Sequence, residues 1–95
     1  MSLRFKWDPR KAEANLAKHG VSFEDAVTVY ADPLARIFSD EEHSVAELRE
    51  IIIGHSAQRQ LILVNFTAND EEVRIFSARK ATRRERKEYK ENVSS

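Results

Sequence analysis

Seven basic side chains crowd residues 79 to 90: Arg79, Lys80, Arg83, Arg84, Arg86, Lys87 and Lys90, against only Glu85 and Glu88. Such a density of guanidinium and ammonium groups is the chemistry of a phosphate-binding surface. Arg83 and Arg84 follow Thr82 in what reads as the first turn of a helix. Positive charge there opposes the helix dipole by a few tenths to about 1 kcal/mol. A polyanion at that turn would offset the cost, because helix N–H groups bind phosphate too. The plainer alternative is a solvated helix that happens to be basic.

Lys11, Asn15, Lys18 and His19 form a second group, spaced i, i+4, i+7 and i+8, so that they share one polar stripe of a helix. Exposure on a surface helix accounts for such a stripe equally well. His19 falls at the end of that helix, where the dipole favours a cation, a place suited to an acid. His43 and His55 have no recurring spacing to further ligands, so no metal site and no cofactor are expected. Trp7 reads as core rather than as a stacking platform. The chain has no glycine-rich phosphate loop, nucleophile elbow or H-E-x-x-H motif. It also has no cysteine, which removes disulfides and thiolate metal sites.

The elements that must position these groups follow from periodicity. Leu3–Trp7 alternates apolar and charged residues, as a half-buried strand does. Asp8-Pro9 is a helix start, and Gly20 after His19 is a helix stop. Ser22 to Asp25 resembles a capping box, and Phe23, Ala26, Val27 and Tyr30 form the core-facing stripe of a second helix that ends at Asp32-Pro33. Four strands are expected at 34–39, 48–55, 60–67 and 72–77, joined by connections short enough for an antiparallel meander. Ile51-Ile52-Ile53 and Leu61–Val64 are apolar on both faces and so read as interior strands. Thr82-Arg83-Arg84-Glu85 is a T-x-x-E capping box that opens a last, very polar helix. The predicted fold is α+β, in the order β-α-α-β-β-β-β-α, an antiparallel sheet with helices packed against one face.

Length and charge bound the rest. Ninety-five residues, 41% hydrophobic and 34% charged, suffice for one domain spanning residues 1–95 with a modest core. The formal net charge of +0 conceals a dipolar chain, basic at residues 79–90 and acidic over the remainder. No apolar run approaches the roughly 20 residues that cross a bilayer, and the start lacks a signal-peptide core, so no membrane partner and a cytoplasmic location are expected.

Two separated motifs carry a resemblance to a known family. Near the start stand Phe5, Trp7, Asp8, Lys11, Asn15, Lys18-His19-Gly20-Val21 and Phe23. Near the end stand Arg74-Ile75, Ser77-Ala78-Arg79, Ala81, Glu85 and Tyr89, with Asp32-Pro33, His43-Ser44 and Arg49 between them in order. This pattern, over roughly residues 4 to 90, resembles the BrnT family of type II toxins. The resemblance implies a RelE-like fold, a ribonuclease that blocks translation, and neutralisation by a BrnA-type antitoxin in a heterotetramer, with DNA contacted only through the antitoxin. It also implies cleavage without a metal, by attack of the RNA's own 2′-hydroxyl on the neighbouring phosphate.

That reaction needs a base, an acid and cations for the phosphorane. Arg79 and Arg83 are candidates for phosphate stabilisation, and His19, Glu85 and Tyr89 for proton transfer. An unperturbed tyrosine, with a pKa near 10, would need adjacent cations to act as a base. Lys11, Lys18, Arg49, Lys80, Arg84 and Lys87 are candidates for holding the RNA. Glu85 has a structural alternative as the capping partner of Thr82, and Tyr89 has one as the anchor of the last helix. Two other functions fit the same basic end: a non-catalytic RNA- or DNA-binding module, and an interaction domain for an acidic partner.

Overall fold

The computed structural model describes residues 3–41 and 48–94. Strand β1 (Arg4–Lys6) leads into helix α1 (Pro9–His19). Asp8 caps that helix by accepting from the Arg10 N–H at 2.9 Å. Gly20, at φ 69°, takes the left-handed conformation that ends it. Helix α2 (Phe23–Thr28) is capped by the Ser22 hydroxyl and runs on through a tight turn at Val29–Ala31. Asp32 closes the segment, its carboxylate accepting from the N–H of Leu34 at 2.9 Å. Strands β2 (Arg36–Ser39), β3 (Glu50–His55), β4 (Leu61–Ala68) and β5 (Glu72–Lys80) then precede helix α3 (Arg83–Ser94).

Among the described residues five strands lie in the order β1-β5-β4-β3-β2. Strands β2 to β5 form the expected antiparallel meander, but β1 joins β5 in parallel, so the sheet is mixed. A three-residue strand gives no sequence signal of its direction, which is set by where α1 and α2 return the chain.

The helices also divide between the two faces instead of sharing one. On one face Val21, Phe23, Ala26 and Val29 pack on Ile52, Ile62, Val64, Phe66, Val73, Ile75 and Ala78. Trp7 stacks edge-on against Phe23 at 5.8 Å, a member of this core as expected. On the other face α3 sets Tyr89, 4% exposed, against Ile53, Leu61 and Leu63. Strand alternation supplies both cores at once: Ile52, Val64 and Ala78 point one way, Ile53, Leu63 and Arg79 the other.

The two sheet edges differ. Strand β1 is flanked by ion pairs, Arg4 with Glu71 at 3.3 Å and Lys6 with Glu72 at 2.9 Å. At the β2 edge Leu34, Ile37, Phe38 and Leu48 are all exposed. No helix among the described residues is long and apolar enough to cross a membrane.

Candidate functional site

Strand β5 is three times as long as β1, so most of its outer edge is left for α1 to cover. Asn15 makes the junction. Its amide donates to the carbonyls of Ala78 (2.8 Å) and Val21 (3.0 Å), and its oxygen accepts from the Ala78 N–H (3.1 Å). A residue that helical spacing placed in an exposed stripe is therefore buried, at 7% exposure. Its stripe neighbours Lys11 and Lys18 stay exposed and His19 half-buried. Together with Phe76 and Ser77 they line a depression of about 240 Å³ between helix and strand.

The position of Phe76 comes from an irregularity in the sheet. Asn65 pairs with Ser77 and Phe66 with Ile75, so Phe76 is an extra residue with no cross-strand partner. Such a bulge re-aims a side chain. Three cations gather round its half-buried ring: Arg49, just before β3, at 4.2 Å from the centroid, Lys11 of α1 at 5.2 Å and Arg74 of β5 at 5.7 Å. Beside it the Ser77 hydroxyl donates to Asn65 at 3.3 Å, and the Asn65 amide donates to Asp40 at 2.6 Å. The depression thus offers a flat aromatic face, several positive charges and an imidazole at its margin. These are the groups that a phosphodiester with an unstacked base would meet.

The basic C-terminal segment is organised differently. Arg79 grips Glu85 with both guanidinium nitrogens, at 2.7 and 2.8 Å. Glu85 also accepts from the Thr82 N–H at 2.8 Å, while the Thr82 hydroxyl accepts from the Glu85 N–H at 3.1 Å, completing the capping box. The Arg79 hydrogen bonds, working against partial burial and aided by Thr82, hold the Glu85 carboxyl down at about 2, and Glu85 in turn raises Arg79. A carboxylate so fixed is a poor proton carrier at neutral pH. Arg84 pairs with Glu88 at 3.2 Å on the surface, and Lys80, Arg83 and Lys87 are exposed.

Tyr89 lies elsewhere again. Its hydroxyl sits 3.4 Å from Asp32 and 3.3 Å from the Leu34 carbonyl, and its ring meets His55 at 5.5 Å. Burial, then the charge of Asp32, push its pKa above the ordinary tyrosine value, opposite to what a base requires. Asp32 itself is drawn down: burial acts upward, but the N–H groups of His55 and Leu34 outweigh it.

The sequence candidates thus separate into two places. Lys11, Lys18 and His19 line the depression and Arg49 lies over the Phe76 ring in its wall, whereas Arg79, Glu85 and Tyr89 tie α3 to the sheet. His43 and Ser44 lie outside the described residues. Phe76 and Arg74 are site members that composition does not mark, since an aromatic in a strand reads as core. Only its flanking charge, in Arg74-Ile75-Phe76-Ser77, hints at exposure.

Known proteins give consistent matches. The family model described as "Ribonuclease toxin, BrnT, of type II toxin-antitoxin system" matches residues 7–85. Among solved structures the chain is similar to the crystal structure of the Brucella abortus ribonuclease toxin, BrnT. The TM-score is 0.65 and the identity 27%, over 86% of this chain and 100% of that one. No curated protein matches.

Proposed function

The chain belongs to the BrnT family of ribonuclease toxins of type II toxin–antitoxin systems, and from that premise we propose that it cleaves RNA at the depression between α1 and β5. The observation that carries this placement is the convergence of Lys11, Arg49 and Arg74 on Phe76, beside His19. In the proposed reaction no metal takes part. The 2′-hydroxyl of one nucleotide attacks the phosphorus that follows it, the 5′-oxygen leaves, and the products carry a 2′,3′-cyclic phosphate and a free 5′-hydroxyl. His19 carries one of the two protons, to the leaving 5′-oxygen or from the attacking 2′-hydroxyl, and water carries the other. Lys11, Lys18 and Arg49 hold the phosphate and offset the charge that grows on it. Phe76 stacks a neighbouring base, and Arg74 adds charge at its edge. Lys80, Arg83, Arg84 and Lys87 track the RNA backbone beyond the depression.

This division of labour takes Glu85 and Tyr89 out of proton transfer and makes Arg79 a structural partner of Glu85. The fixed carboxylate, the raised tyrosine and the bidentate pair all favour it. The cellular role proposed is arrest of translation in the cytoplasm. A BrnA-type antitoxin would relieve it by binding the toxin in a heterotetramer and would provide any contact with DNA.

Incubation of purified protein with a short RNA in EDTA tests the proposal. It expects cleavage with 2′,3′-cyclic phosphate ends, and much slower but measurable cleavage by folded Lys11→Ala and His19→Ala proteins. Salt-sensitive binding with no cleavage would instead make the chain a non-catalytic nucleic-acid module.

A further inference from the structure

Asn15 is the buried residue of α1, and its hydrogen bonds reach both walls of the depression. One bond goes to Val21, two residues beyond His19. The other two go to Ala78, one residue beyond Ser77. The carboxamide therefore meets the outer edge of β5 four residues beyond Arg74, the last residue that β1 pairs with, donating to and accepting from the strand as a peptide group does. It is the polar link between the helix carrying Lys11, Lys18 and His19 and the strand carrying Phe76 and Ser77.

We propose that Asn15 is a positioning residue for RNA cleavage, acting by clamping the chain just after His19 to the strand just after Ser77. This rests on the placement of the cleavage site given above. The chemistry of the side chain is specific. A carboxamide supplies two donors and an acceptor in one plane, and the partners here use both kinds. Aspartate keeps the acceptor but sets a charged oxygen against the carbonyls of Val21 and Ala78. Alanine leaves three buried backbone groups unpaired. Glutamine keeps the amide but sets it one methylene further out, so it tests placement separately from hydrogen-bonding capacity.

A purely structural seal would cost stability and leave chemistry alone once the protein is folded. A clamp that sets the geometry costs rate, because a displacement of about 1 Å can lower a rate about 100-fold. The test is single-turnover cleavage of a short RNA at saturating protein, at a temperature where circular dichroism shows each variant folded. Asn15→Ala and Asn15→Gln are expected to cleave about 10- to 100-fold more slowly. Binding of a non-cleavable analogue, 2′-deoxy at the scissile nucleotide, should change less than about fivefold, since the long cationic side chains can follow the RNA.

In a Lys11→Ala background the loss from Asn15→Ala should shrink, because the two changes damage one geometry. Wild-type rates in either folded Asn15 variant overturn the positioning role. So does the same factor lost with and without Lys11. If Lys11→Ala and His19→Ala both leave cleavage intact, the site placement itself fails, whatever Asn15 does.

Discussion

Replacing Glu85 with glutamine isolates the charge of the Arg79–Glu85 pair, because glutamine can still accept from the Thr82 N–H and keep the helix cap. The carboxyl is held at about 2 against an ordinary 4.5, which at about 1.4 kcal/mol per pH unit corresponds to roughly 3 kcal/mol. Arg79 is 41% exposed and Glu85 26%, so solvent screening reduces the net contribution to about 1–2 kcal/mol. In a chain of this size that is a fall in Tm on the order of 5–15 °C. The pH dependence has a definite sign. The carboxyl's pKa is lower when folded, so the contribution is complete above pH 4.5 and is lost as pH falls towards 2. Thermal melts of wild type and Glu85→Gln should therefore differ most at pH 5–7 and converge near pH 2. Cleavage at pH 7, measured well below both midpoints, should stay within about threefold of wild type. An unchanged Tm together with lost cleavage would return Glu85 to proton transfer.

Four further outcomes follow from the same geometry. Phe76→Ala should weaken binding of a single-stranded RNA by about 10- to 100-fold, from about 1–3 kcal/mol of lost stacking, while Phe76→Trp retains it; equal affinities in filter binding would remove the platform. The salt dependence of RNA binding should flatten by about 0.7 in log–log slope for each of Lys11→Ala and Lys18→Ala, and an unchanged slope would place the phosphates elsewhere. Gly54→Ala should destabilise the fold by about 1–3 kcal/mol. Its added carbon would lie 2.9 Å from the Ala35 side chain and 3.0 Å from both Asp32 and Val29, and an unshifted urea midpoint would contradict that crowding. Tyr89→Phe should cost about 1 kcal/mol from its long contacts to Asp32 and Leu34 and leave cleavage unchanged; a large loss of rate in the folded variant would restore Tyr89 to the chemistry.

Local signals marked the ends of elements well, because caps act within a few residues. Asp8-Pro9, Gly20 and Thr82-x-x-Glu85 all mark the boundaries that the structure shows. The interior strands were equally legible from Ile51–Ile53 and Leu61–Val64, which serve two cores. Pairings made across the fold were not. The parallel direction of β1 and the separation of α3 onto the other face depend on where the chain returns, which periodicity does not encode.

The site was half legible for the same reason. Lys11, Lys18 and His19 stood out by type and line one depression, with Arg49 over its Phe76 wall. Arg79 and Glu85 also stood out, yet they turn towards each other, and their six-residue separation spans a strand end and a helix start. Asn15 looked like one more member of a solvated stripe because its partners are backbone atoms 6 and 63 residues away. Phe76 owes its exposure to one inserted residue in a ladder, a feature of register that composition does not carry.

The proposed placement has RNA cleaved in the depression beside His19 and not at the Arg79–Glu85 pair. Single-turnover cleavage of a short RNA in EDTA, with folded His19→Ala and Glu85→Gln side by side, tests it most directly. Loss of a proton-transfer group costs about 10²- to 10⁴-fold, so His19→Ala should fall by at least about 100-fold while Glu85→Gln stays within about threefold. The reverse pattern would move cleavage to the Arg79–Glu85 pair.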